Sequence, residues 1–457
     1  MFIPIPMMFL INTLFFTPLS FAIVPIGSSN TNGDEDKNNK QATGFKNMDR
    51  NYKQALLDEL RIIHKTSNKK IHLQTIYFGG GTPSLAPLST LQEVMHAIYK
   101  SEDAPFYIDD KSNVEITIEM DPGTFDKTYL ESIKRMGFNR ISLGVQSFDD
   151  NILSNLGRVH RSVDVYHSIE MIGKIYGEED ANYSLDLISG VPGLSLAGWS
   201  KTLYKAVSLN PKPNHMSVYD LQVEKATTFG KWYSIDDDEE GSTQQQDMLN
   251  STSHHPSLPT PDDCAFMYSY ASGYLRSRGY EHYEISSYAA YKSSEQADSY
   301  RSQHNQIYWK PNGQWYSIGL GATSNVNGVR YARPRALSDY INWVEGLMNQ
   351  NTNKPPWLHK LDDEDEEDDK LLDIVMTRLR TIEGLDLDWI SKHYTASHVH
   401  AIQNGFDLAI DLDLGVSDDN ISPDKKYGSI RLKDPKGFLF SNNIISNVFL
   451  ELSEMDD

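Results

Sequence analysis

Gly79-Gly80-Gly81 follows directly on Thr75-Ile76-Tyr77-Phe78, a β-branched and aromatic run of strand character. Glycine alone lets a backbone turn sharply and approach a ligand closely, because a Cβ opposes positive φ and fills the space. A strand that breaks this way exposes amide N–H and carbonyl groups at its carboxyl end, where α/β folds keep their active sites. A tight turn without a ligand uses glycine too, so the triplet gains its weight from its company. Further strand ends read Glu119-Met120-Asp121-Pro122-Gly123, Gly144-Val145-Gln146-Ser147-Phe148 and Leu185-Asp186-Leu187-Ile188-Ser189-Gly190. Buried acids and amides at the mouth of a sheet are costly unless paired or bound to something. Their recurrence at successive strand ends points to a shared ligand site rather than to packing.

The elements that must position these residues alternate from residue 50 to about 220. Strands are expected at Thr75–Phe78, Val114–Met120, Arg140–Val145, Tyr183–Ile188 and His215–Tyr219, with a further candidate at Ala22–Ile26. Helical periodicity lies between them at Tyr52–His64, Ser89–Lys100, Lys127–Met136, Val163–Ile175 and Leu196–Ser208. Strand–helix alternation of this length implies βαβ units, a parallel sheet and strand ends gathered on one face, as in an open or closed (β/α) barrel. Residues 234–262 are polar and read as an insertion. A middle region follows over 263–354, with a helix at Ala265–Arg278 that Cys264 precedes. An acidic linker spans 355–370. The C-terminal region 371–457 combines helices at Leu371–Thr381 and Leu387–His393 with an apolar stretch at Gly437–Val448, a helical or winged-helix-like pattern.

Composition is that of a globular chain, with 39% hydrophobic and 23% charged residues among 457. The net charge of −21 is inflated by acid runs at Asp236–Glu240 and Asp362–Asp369, which read as solvated loops. No basic stripe is present, so nucleic acid is not an expected partner. The single cysteine, Cys264, excludes an intrachain disulfide framework and any zinc site built on several thiolates.

The phrases YFGGGTPSL (77–85), EITIEMDP (115–122), GFNRISLGVQSFDD (137–150), LGRVH (156–160) and SLDLISGVPG (184–193), in this order, resemble the radical S-adenosylmethionine (SAM) superfamily. With HMSVYDLQVEKATTF (215–229), GYEHYEIS (279–286), TRLRTIEGLDL (377–387) and KGFLFSNNIIS (436–446), they resemble its branch of oxygen-independent coproporphyrinogen III oxidases and HemW-like heme chaperones. The resemblance covers about residues 21–450 without the polar insertions. It implies a partial (β/α)6-type radical SAM core over 21–233 with a C-terminal α/β and helical extension. It also implies SAM and a [4Fe–4S] cluster as cofactors, with an electron donor such as a flavodoxin or ferredoxin. Carried over by motif, Gly80, Gly81 and Thr82 would meet the SAM amino group, with Glu119 and Gln146 on the methionine and ribose side. Arg158 would meet the carboxylate, and Asp186 the ribose or adenosine. A guanidinium suits a carboxylate and an acid suits ribose hydroxyls; taken alone, Arg158 also reads as a surface helix residue and Asp186 as an internal cap.

Gln303-His304-Asn305-Gln306-Ile307-Tyr308-Trp309 resembles the HNxxYW element of HemW-like proteins, which the oxidases generally lack. It implies heme or a porphyrin as partner, with His304 as a heme contact; a satisfied histidine beside core aromatics is the structural alternative. Heme binding and transfer is therefore the expected function. The alternatives are coproporphyrinogen III oxidation, which decarboxylates two propionates to vinyls, and non-catalytic heme or SAM binding.

The resemblance fails at one place. The family sets CxxxCxxC after its first strand, and no cysteine precedes Cys264 here. Methionine sulfur cannot replace three thiolates, so no metal ligands are assigned and the standard cluster is not expected on these residues. The first 33 residues carry no charge, and Ser20–Gly27 resembles the tail of the phrase that follows the family's last cysteine. Residues 1–20 are therefore expected to derive from a misplaced start or retained intron; a cleaved signal or a membrane anchor are the alternatives. No firm membrane association is expected, since prolines interrupt a stretch short of the ~20 apolar residues that span a bilayer. The compartment is expected to be the cytoplasm or an organelle, mitochondrion or chloroplast.

Overall fold

The computed structural model describes residues 35–67, 69–109, 114–223, 228–233, 255–292, 299–349, 366–418 and 426–455, with backbone alone over 35–49, at 228 and over 366–369. The expected strand Ala22–Ile26, the atypical residues 1–20 and most of the polar insertion and acidic linker lie outside them.

Five strands run parallel: β1 (Thr75–Phe78), β2 (Glu115–Met120), β3 (Arg140–Gln146), β4 (Tyr183–Ser189) and β5 (His215–Asp220). An antiparallel hairpin, β6 (Tyr280–Glu284) and β7 (Ser287–Ala290), joins through β7 to β5 and completes a seven-stranded sheet of order β1-β2-β3-β4-β5-β7-β6. The expected parallel α/β core is present, and the hairpin is an addition to it.

Helices α1 (Glu35–Thr66), α2 (Leu88–Met95), α3 (Lys127–Met136), α4 (Asp150–Asn155), α5 (Ser162–Tyr176) and α6 (Leu196–Val207) alternate with the strands. Their limits follow local chemistry. Asp126 caps α3 by accepting from the Tyr129 amide, and Gly137, at φ +107°, ends it. Odd and even strand positions divide sharply. Ile76, Phe78, Ile118, Ile141, Leu143, Leu185, Leu187, Met216 and Val218 are buried in the apolar core shared with the helices. The alternate positions, Thr75, Tyr77, Glu115, Glu119, Arg140, Ser142, Ser184, Asp186, His215, Ser217 and Tyr219, form a polar face on the other side.

Two further helices matter here. α7 (Pro261–Ser277) starts earlier than expected, with Thr260 and Asp263 forming a capping box. Cys264 therefore lies inside the helix's first turn, partly buried, instead of preceding it. α8 (Gln303–Tyr308) carries most of the HNxxYW element. The C-terminal residues have an apolar cluster of their own, built from helices Glu366–Arg378, Leu387–His393, Ala396–Asp411 and Ser441–Ser453 around a three-stranded sheet. Asp434 ties this unit to the core, contacting His282 Nδ1 at 2.6 Å and the Ser272 hydroxyl at 2.7 Å.

Candidate functional site at the carboxyl end of the sheet

The glycine turn is built around one carboxylate. Glu119 Oε2 accepts the Gly80 amide at 2.9 Å, and Glu119 Oε1 accepts the Tyr77 hydroxyl at 2.8 Å. Gly80 and Gly81 have φ of +80° and +65°, which a side chain would oppose. At Gly79 the constraint is space: a Cβ would stand 2.5 Å from Tyr77 Cε1 and 2.7 Å from Glu119 Oε1.

Asp121 organises the next layer. Its carboxylate accepts the Thr82 hydroxyl at 3.1 Å and meets Arg158 Nη1 at 3.5 Å, drawing together the glycine turn, the end of β2 and the loop after α4. Gly144 makes room for it, since a Cβ there would come within 2.6 Å of Asp121 Oδ1 and 3.2 Å of Gln146 Nε2. Gln146 ends β3 at φ +62°, where the pairing with β4 shifts register. On β4, Asp186 accepts from the Ser142 hydroxyl at 3.4 Å. Gly80, Gly81, Thr82, Glu119, Gln146 and Arg158 thus lie at or near the carboxyl ends of β1–β3 or in the loops that follow them, while Asp186 lies midway along β4.

Glu119 and Asp186 retain partial exposure while the residues flanking them on their strands are buried. Loss of hydration raises both. Glu119 is pushed up to about 7, against the bonds from Tyr77 and Gly80, with Asp186 and Asp121 adding like-charge repulsion. Asp186 is pushed up to about 6, opposed by bonding to Ser217 and by Arg140. A cationic ligand group would relieve this repulsion and favour the ionised forms. The acids suit an ammonium and ribose hydroxyls, Arg158 suits a carboxylate, and the glycines keep side chains out of the turn. These residues fit SAM. They do not fit a thiolate-bound iron–sulfur cluster: Cys264 is the chain's one cysteine, and its thiol is pushed up to about 11, first by burial and then by Asp220. Among the described residues no group of three His, Cys, Asp or Glu is placed to hold a metal ion.

His304 stands apart from the mouth, toward the amino end of the sheet. Glu115, at the start of β2, caps α8 by accepting the Gln303 and His304 amides at 3.1 and 3.0 Å. The His304 ring is buried, with Nδ1 2.7 Å from the Thr75 hydroxyl and Nε2 2.8 Å from the Tyr308 hydroxyl. Burial, aided by Arg140, pushes it down to about 3, so the ring is neutral. Both nitrogens are engaged, and ligation of iron by His304 needs one of these bonds to open.

Sequence reading passed over Tyr77 and Ser142 as site residues, and quoted Asp121 and Gly144 at strand ends without giving either a role. The polar period-2 pattern across five strands was the available signal.

The model of the Radical SAM superfamily matches residues 40–203. The heme chaperone HemW of a Synechocystis species is 34% identical over 390 residues, covering 84% of each chain. A mitochondrial radical S-adenosyl methionine domain-containing protein 1 from Dictyostelium discoideum is 28% identical, covering 69% of this chain and 65% of that one. Among solved structures, the coproporphyrinogen III oxidase HemN of Escherichia coli superposes with a TM-score of 0.64 at 18% identity, over 88% of this chain and 83% of that one. That likeness concerns the fold. No helix among the described residues is long and apolar enough to cross a membrane.

Proposed function

The chain belongs to the HemW-like branch of the radical SAM superfamily, and on that premise we propose that it binds SAM at the mouth of its sheet and takes heme as its cargo. The observation that carries the first part is the gathering of Glu119 on the Gly80 amide, Arg158 on Asp121 beside Thr82, and Asp186 on Ser142 around one glycine turn of positive φ at the mouth of the sheet. Glu119 and the turn would hold the SAM ammonium, Arg158 its carboxylate, and Asp186 with Gln146 the ribose side. In this superfamily SAM supplies a 5′-deoxyadenosyl group once a cluster-borne electron cleaves the sulfonium bond. The residues present do not fit that cluster, so the proposal for this chain is confined to binding. Isothermal titration of SAM tests it: micromolar-range binding that falls at least about tenfold in Glu119→Gln and Asp186→Asn is expected, since each deletes a charge-assisted contact. Absence of binding to the unmodified chain refutes it.

Heme as cargo is supported by the similarity to heme chaperones and by the HNxxYW element on α8. Heme titration followed by Soret absorption tests it, with His304→Ala as the control for direct contact. An unchanged spectrum and affinity in that variant removes His304 from the heme site. Formation of protoporphyrinogen from coproporphyrinogen III would favour the oxidase reading instead.

The division proposed from sequence is a radical SAM core over 21–233, a middle region over 263–354 and a C-terminal unit from residue 371; the separate apolar cluster of the last favours treating it as a unit, while the described parts of the first two share one cluster.

A further inference from the structure

We infer that His304 is a positioning residue for the glycine turn, acting through a chain in which its ring holds Tyr77, Tyr77 holds Glu119, and Glu119 holds the Gly80 amide. The imidazole lies nearly parallel to the Tyr77 ring, at 24° and 4.9 Å between centroids. It is itself held from both sides by Thr75 and Tyr308. Tyr77 then delivers its hydroxyl to Glu119 at 2.8 Å, and the other oxygen of the same carboxylate receives Gly80. Each link is buried or partly buried and geometrically specific. α8 thereby reaches the ligand-binding turn from below the sheet mouth, although none of its residues lies in it.

This gives the HNxxYW element a task apart from any cargo. A phenol pinned by a stacked ring has one hydroxyl position available, so its bond to Glu119 is preorganised. Without the ring, Tyr77 gains rotamer freedom and the carboxylate loses a fixed donor. Other groups facing Glu119 are Asp121 beyond the end of its own strand, Asp186 on β4, Tyr219 on β5 and Tyr308 on α8, with the Gly80 amide. Of these, the Tyr77 hydroxyl and the Gly80 amide are the donors that favour the ionised form. Loss of the Tyr77 bond therefore raises the pH at which the proton leaves Glu119.

Carbon-13 NMR titration of side-chain-labelled glutamates in the ligand-free full chain, with Glu119 assigned by Glu119→Gln, reads this directly. Tyr77→Phe should move the Glu119 midpoint up by about one pH unit, the effect of one lost donor to a carboxylate. His304→Leu keeps volume without a planar face and should give the same upward shift. His304→Phe restores the planar face and should return the midpoint to within a few tenths of the original. The double variant Tyr77→Phe/His304→Leu should shift no further than either single change, because both act on one bond. A His304→Leu midpoint equal to that of the unmodified chain overturns the inference, as does a His304→Phe midpoint shifted like the leucine variant's, or additive shifts in the double variant. The ligand arm alone rests on the SAM reading: affinity at a fixed pH near 7 should fall several-fold in Tyr77→Phe and His304→Leu and hold in His304→Phe. If the unmodified chain binds no SAM, that reading fails while the NMR arm still decides the positioning role.

Discussion

Gly79→Ala tests the site at its tightest point. Gly79 is not among the glycines with positive φ, so alanine meets no backbone strain and the whole effect is steric. The added methyl would stand 2.5 Å from Tyr77 Cε1, 2.7 Å from Glu119 Oε1 and 2.9 Å from Glu119 Cδ, each about an ångström inside ordinary contact. Tyr77 cannot retreat, because its buried ring is backed by His304. Glu119 must therefore swing away, and in doing so it releases both the Tyr77 hydroxyl and the Gly80 amide. Overpacking of this kind costs about 1–3 kcal/mol. Each lost hydrogen bond adds about 1 kcal/mol, near the neutral-pair value because Glu119 is partly exposed and water can replace part of it. A loss of about 3–5 kcal/mol is expected in chemical denaturation, with the unfolding slope unchanged. SAM affinity should fall about tenfold to a hundredfold, equivalent to about 1.4–2.8 kcal/mol for the displaced carboxylate. A variant within about 0.5 kcal/mol of the unmodified chain, with unchanged SAM affinity, would refute the steric reasoning.

Folding stability should fall as pH rises from about 4.5 to about 7, because the folded Glu119 keeps its proton up to about 7 while the unfolded carboxyl releases it near 4.5. Between those values the folded state binds more protons, and Glu119→Gln should flatten the slope measured by denaturation at stepped pH. Arg333→Met should destabilise by about 3–5 kcal/mol. It strips the guanidinium from Glu59, a buried carboxylate that meets Arg333 Nε at 2.8 Å and also accepts the Tyr340 hydroxyl at 2.6 Å. Thermal unfolding that matches the unmodified chain would contradict this. Gly273→Ala should instead stabilise by about 0.5–1 kcal/mol, since it sits on the exposed side of α7 with no atom within 4 Å of an added Cβ.

The limits of the five parallel strands were legible in the sequence to within a residue at each end, and the discrepancies at the carboxyl ends share a cause. The apolar pattern suggested ends at Val145, Ile188 and Tyr219, whereas β3, β4 and β5 run on to Gln146, Ser189 and Asp220. Each added residue is polar and lies at the carboxyl end, where the sheet stops packing and starts facing the mouth. Hydrophobic periodicity measures burial, so it stops where the strand turns from core to site. Position in the pattern was legible for the glycines and for Glu119 and Asp186; contact was not. Nothing local to Asp121 shows that it gathers Thr82 and Arg158, and nothing local to His304 shows that Glu115, 189 residues away, caps its helix.

His304 shows why residue type alone does not fix a role. A histidine beside Tyr308 and Trp309 offers the same chemistry to an iron atom as to a threonine and a tyrosine, and only the fold decides which partner is in reach. Here the fold engages both nitrogens and stacks the ring on Tyr77, which links the motif to the residue that holds Glu119. The triplet Gly79–Gly81 and the HNxxYW element lie more than 200 residues apart in sequence, yet Tyr77 and Glu119 join them within one polar sheet face. On the inferred relay, a change in α8 that tilts His304 reaches the Gly80 amide through Tyr77 and Glu119.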